Sequence, residues 1–137
     1  MPLVYRLDHE ARVIVAAGYG TLTDDEVFGY QRQIGSLEEA YGYDELVDMT
    51  HVTHIALPST ARVGDLAAAA AVLDEVRRSS KFAIVAPDDL AFGLGRMFQT
   101  RRELEPGSAT QVGVFRTMGE ALAFLGVDRP LPLPTPD

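Results

Sequence analysis

The sequence predicts a single α/β domain with a mostly parallel sheet, and three observations lead there. After an opening pair of apolar runs, strand-like and helix-like segments alternate, the pattern that builds parallel strands through right-handed crossovers. The run Phe82 to Ala86 is apolar without alternation, as in a strand covered on both faces. The chain has 137 residues, ordinary for one domain, and its 47% hydrophobic content supports a core without staples.

The elements follow in order. "LVYRLD" and "RVIVAAGYG", joined by "HEA", predict an antiparallel hairpin with the first strand at a sheet edge. Val27, Tyr30, Ile34 and Leu37 then recur at helical spacing. Thr23 and Glu26 form a capping box, and Leu22 and Val27 fall at the staple positions, so a helix is expected over about 24–40. "DELVDM" is the third strand. The alanine-rich "ARVGDLAAAAAVLDEVRR" is a strong helix former, with Val63, Leu66, Ala70, Leu73 and Val76 as its buried stripe. "KFAIVAP" is the fourth strand, and Asp88 or Asp89 caps a third helix running to about Leu104, stopped by "EPG". "QVGVF" is the last strand. Thr117 and Glu120 open a short final helix containing Leu122 and Leu125, which Gly126 ends.

The expected order is β-β-α-β-α-β-α-β-α, a domain over residues 1–127 followed by a proline-rich tail, 128–137. The tail prolines alternate and do not match the three-residue turn of a polyproline II ligand, so the tail is expected to be flexible or draped on the surface.

Composition narrows function. With no cysteine, disulfides, thiolate metal sites and cysteine nucleophiles are excluded. A net charge of −8 repels phosphate backbones, so nucleic acid is not an expected partner. No apolar run reaches the roughly 20 residues of a membrane span, and "MPLVYRLDHE" does not look like a secretory signal, which together predict a cytoplasmic protein.

Four segments carry a family resemblance: "GYGTLTDDEV", "LVDMTHV", "AIVAPDDLAFGLGRMFQ" and "VGVFRTMGEALAFL". In these the chain resembles the SpoIIAA-like, or STAS, proteins, and more closely the STAS/SEC14-like family of small bacterial proteins. The resemblance implies a SpoIIAA-like fold and a binding or regulatory module rather than an enzyme.

The stretch "DMTHVTHIALPST", Asp48 to Thr60, is the densest in chemistry. As a metal site it offers His51 and His54, three apart in an expected loop, without a neighbouring third histidine; His9 lies in the hairpin, and catalytic zinc wants three protein ligands. No metal and no cofactor are therefore expected. As a phospho-switch it resembles the anti-sigma antagonists only in "DMTHV". The acid–serine pair of those proteins falls here on Ala56 and Leu57, with Ser59 and Thr60 displaced by two or three positions. Ser59 and Thr60 are the candidate phosphorylation sites; helix capping is their competing role. Asp48, at the end of an apolar strand, is expected to find a backbone partner.

A small-ligand pocket beyond the carboxyl ends of the strands is the third reading. Its candidates are Tyr19, His51, His54, Ser59, Thr60 and Arg62. Arg62 stands in the first turn of a helix, where the dipole disfavours a cation, which points to an anion or acid nearby. "AFGLGR" lies inside a helix and lacks the Gly-Lys-Ser/Thr of a phosphate loop, so Gly93 and Gly95 are read as close-packing positions.

Two function classes result: a STAS-like regulatory or binding module acting on a protein partner or small ligand, and a carrier of a small apolar or lipid-like molecule. An enzyme ranks third. A dry apolar cavity lined by the helices would favour the carrier, a flat apolar patch the partner module, and a polar pocket of shifted pKa values the enzyme. A homodimer is expected, on two grounds. Phe92 falls on the wheel with Arg96, Gln99 and Glu103, opposite the apolar side of the third helix. In addition, helices crossing on one face leave the other sheet face needing cover.

Overall fold

The computed structural model describes residues 3–56, 59, 61–77, 80–105 and 110–136. Strands β1 (Leu3–Asp8), β2 (Val13–Thr23), β3 (Asp44–Ala56), β4 (Lys81–Val85) and β5 (Gln111–Phe115) form one sheet in chain order. β1 pairs antiparallel with β2 and every later pairing is parallel. The helices are α1 (Asp24–Gly35), α2 (Ala61–Arg77), α3 (Asp89–Leu104) and α4 (Met118–Leu125). The α/β class, the order of elements and the antiparallel edge strand are as the sequence predicts. No described helix is long and apolar enough to cross a membrane.

Sequential strand order has a geometric consequence. Each parallel step moves the same way across the sheet, so right-handed crossovers deliver α1, α2 and α3 to one face. On that face Ile14, Ala16 and Val47 pack with Tyr30 and Ile34 of α1, and Ile84 and Val114 pack with Ala91 of α3. The opposite face presents Val13, Val15, Leu46, Ala83 and Val85. Ala121 and Leu125 of α4 cover part of it, and Leu131, 5% exposed, covers more.

The chain after α4 is thus laid against the sheet. Tyr19 O–H donates to the Pro134 carbonyl at 2.7 Å, the Arg6 guanidinium to the Pro132 carbonyl, and Arg129 pairs with Asp8 at 2.9 Å. The second sheet face is therefore covered from within the same chain, which removes one of the two grounds for a homodimer.

The other ground also changes. Phe92 is half-buried in the cluster of Ile84, Ala86 and Val114, under the Arg116 guanidinium at 4.1 Å from its ring. Gln99 donates to the Val112 carbonyl at 2.8 Å, while Arg96 is exposed. The inward side of α3 instead runs through Ala91, Gly95 and Arg102, leaving Leu90 58% and Leu104 75% exposed. The wheel misplaced Phe92 because it assigned the inward side by hydrophobicity, whereas small residues set how closely α3 approaches the sheet. A Cβ on Gly95 would lie 2.9 Å from Val114 Cγ1, whereas Gly93 faces open space.

Capping signals are accurate and lengths less so. The Thr23–Glu26 box opens α1, Asp88 caps α3, Thr117 caps α4, and Gly126 ends α4 in the left-handed region at φ 73°. The first helix stops at Gly35 rather than near 40, and a 3₁₀ turn over Glu38–Ala40 takes up the remainder. β3 does not end at Met49 but continues to Ala56 beside β2, past two register shifts.

Candidate functional site

The extension of β3 corrects the setting of the two histidines. His51 and His54 are strand residues, opposite Tyr19 and Thr21 of β2, not loop residues. The first register shift sets Ala17 to Tyr19 against Asp48 to His51. A bulge leaves a backbone N–H without its ladder partner. Asp48, only 3% exposed, fills that gap: its carboxylate accepts from Thr50 N–H at 3.2 Å and Thr50 O–H at 2.5 Å. The backbone partner expected for Asp48 is Thr50.

Tyr19 and His51 do come together, their rings stacked at 5.3 Å between centroids and 1° between planes. The tyrosine hydroxyl is already held by the tail. Beside them, along the middle of β3 and at the carboxyl end of β4, a shallow cleft is bordered by Asp48, Thr50, His51, Arg116 and Leu131. His54 and Arg62 do not border it. Arg62 pairs with Asp24 at 2.7 Å, Asp65 at 3.3 Å and Asp25 at 3.8 Å, and lies 4.6 Å over the Phe28 ring. The acid anticipated near Arg62 is thus the start of α1, and the arginine ties α1 to α2. Ser59 offers its carbonyl to Arg62 N–H at 3.2 Å, and Thr60 lies outside the described residues. Among the described residues no cluster of three or more histidine or acidic side chains could hold a metal ion.

The more distinct feature is inside. Between α1, α2, α3 and the sheet lies a partly open cavity of about 150 Å³. Its walls are Leu22, Val27 and Ile34 from one side, Val63, Leu66 and Ala70 from α2, Ala91, Leu94 and Phe98 from α3, and Val47, Phe82 and Ile84 from the sheet floor. The alanines on α2 and α3 are part of its origin, because short side chains on facing helices leave volume that the sheet floor does not fill.

Six polar side chains break this apolar wall: Thr23, Tyr30, Gln31, Glu45, Arg102 and Thr110. Tyr30 O–H donates to Glu45 Oε2 at 2.6 Å. Arg102 is 4% exposed, with its guanidinium 6.0 Å from the Phe98 ring. Gln31, 8% exposed, donates from Nε2 to the Leu66 carbonyl at 3.2 Å, while its Oε1 is buried and accepts from no group among the described residues. A buried acceptor left unsatisfied costs about 1–3 kcal/mol.

Sequence marked Thr23 as a cap and Tyr30 as part of a helix face, but singled out none of the six as a wall of a pocket. Glu45 carries the best signal, an acid inside an apolar strand, and Gln31 interrupts the Val27–Ile34 face of its helix. The groups with shifted pKa lie elsewhere. The Ala11 N–H, helped by Arg129, holds the Asp8 carboxyl below its ordinary value; the Arg62 hydrogen bond does the same for Asp24, and Asp24 raises Arg62 in return. Each is accounted for by a turn or an ion pair, not by a reactive pocket.

An ordered five-stranded sheet with one antiparallel edge, three helices on one face and a short one on the other defines a SpoIIAA-like α/β domain. Among solved structures the chain is similar to an uncharacterized protein from the DUF3478 family with a SpoIIAA-like fold, from Shewanella loihica PV-4. The two share 16% identity over 90% of this chain and 93% of that one, with a TM-score of 0.54, a likeness of fold. No family model and no curated protein matches the sequence.

Proposed function

We propose that the protein is a non-enzymatic binding module of the SpoIIAA-like type whose helix–sheet cavity takes up a small, mainly apolar molecule. The observation that carries this is the cavity itself: about 150 Å³, walled by aliphatic and aromatic side chains from three helices and the sheet. An apolar pocket of roughly that size admits a benzene-sized guest. Of the two function classes open to the sequence, binding of an apolar guest matches this geometry, and regulation of a partner would follow from the guest's effect on the helices.

The test uses benzene as a probe and Ala70→Phe as the blocked variant, because Ala70 lines the cavity and is buried. Benzene should raise the melting temperature of the wild type and leave that of Ala70→Phe unchanged. A wild type indifferent to benzene, by melting and by NMR titration, ends this reading.

A further inference from the structure

The segment after α4 is seated on the second sheet face as a bound peptide is. Leu131 is buried and Leu133 half-buried, while Pro130 and Pro132 are exposed, so the leucines turn inward and the intervening prolines outward. The prolines lack an N–H, which prevents the segment from adding a strand to the sheet. It is held through its carbonyls instead: Arg6 of β1 donates to the Pro132 carbonyl and Tyr19 of β2 to the Pro134 carbonyl. At the near end Arg129 meets two acids, Asp8 at 2.9 Å and Glu10 at 3.8 Å. The groove thus takes a base, then apolar side chains at alternate positions, with carbonyls offered between them. None of these contacts requires the segment to be joined to α4.

The fit is incomplete. Leu131 and Leu133 leave the shallow cleft beside them, apolar at Val85, Met118 and Leu122 and edged by His51 and Arg116. A bulkier side chain in place of Leu133 fills more of it. The tail is linked to α4 through exposed Gly126 and Asp128, and a short tether of this kind competes at an effective concentration on the order of millimolar. A segment that fills the cleft as well as the groove passes that threshold. We infer that the groove is a docking site for an extended, proline-rich segment of a partner protein, with the pattern base-x-leucine-x-aromatic, and that residues 129–134 occupy it as an internal competitor.

The test titrates two peptides, Arg-Pro-Leu-Pro-Leu-Pro and Arg-Pro-Leu-Pro-Phe-Pro, into the full chain by NMR. The proteins are the wild type and Leu131→Asp, whose own tail is unseated by a charge placed at a buried position. Leu131→Asp should bind both peptides, with shifts at Val13, Val15 and Tyr19, and should hold the phenylalanine peptide about fivefold more tightly for its extra apolar area. In the wild type the Leu131 methyl signals should move to their free-chain positions as the phenylalanine peptide is added, a readout that stands should the variant fail to fold. A folded variant indifferent to both peptides, or a wild-type tail that stays seated in excess phenylalanine peptide, overturns the docking site. Equal affinity for the two peptides overturns the aromatic preference. Tail signals that shift with protein concentration alone overturn the partner segment in favour of a second copy's tail.

Discussion

At the residue scale the polar side chains divide by what they hold. Asp48 closes a bulge. Replacing it with alanine leaves the Thr50 N–H without its acceptor, and should lower the denaturant midpoint by the equivalent of about 1–3 kcal/mol. An unmoved midpoint would reassign Asp48 to the cleft it borders. Arg62 joins two helices through Asp24, whose carboxyl is held below its ordinary value by that hydrogen bond. The sign follows: a carboxyl with a depressed folded pKa adds stability above its unfolded value, near 3.8, and loses it as pH falls through the folded value. Wild type and Arg62→Ala should therefore differ most in melting temperature near neutral pH and converge below about pH 4. Parallel curves down to acid pH would show that Arg62 stabilises by packing on Phe28 instead. Asp48 and Arg62 were visible in sequence as out-of-place charges. Gln31 was not, because a glutamine on a helix is ordinary until its surroundings are known.

At the element scale the capping motifs were legible and the extents were not. Thr23–Glu26 and Thr117–Glu120 are local devices, closed within three residues, so sequence alone locates them. The length of β3 is not local. Met49 to Ala56 carries mixed polar and apolar residues, and becomes strand because β2 extends alongside it through two register shifts. The chain after α4 behaves similarly. Its prolines forbid helix and sheet, yet Leu131 is buried and Arg6, Tyr19 and Asp8 hold its backbone and Arg129. Leu131→Ala should destabilise by about 2 kcal/mol or more, as for a buried leucine, measured by urea unfolding. A cost under about 0.5 kcal/mol would mean that the segment is not seated in solution.

At the scale of the whole molecule, one sheet face belongs to three helices and the other to α4 and the tail. Ending the chain at Val127 should bare part of the face formed by Val13, Val15 and Leu46. Sedimentation over a concentration series should then show the shortened protein associating more strongly than the full chain. Equal behaviour of the two would mean that α4 alone suffices as cover. Sequence by itself determined the class, the order of elements, the antiparallel edge and the helix starts, because periodicity, propensity and caps act over a few residues. Tertiary structure alone decided that Tyr19 and His51 stack, that Phe92 turns inward beneath Arg116, that Arg62 is spent on Asp24, and that the helices and sheet border a partly open cavity with Gln31 in its wall. Each of these depends on distances between elements far apart in the chain: the β2–β3 register sets the Tyr19–His51 stack, and the close approach of Gly95 to Val114 helps to seat α3 on the sheet.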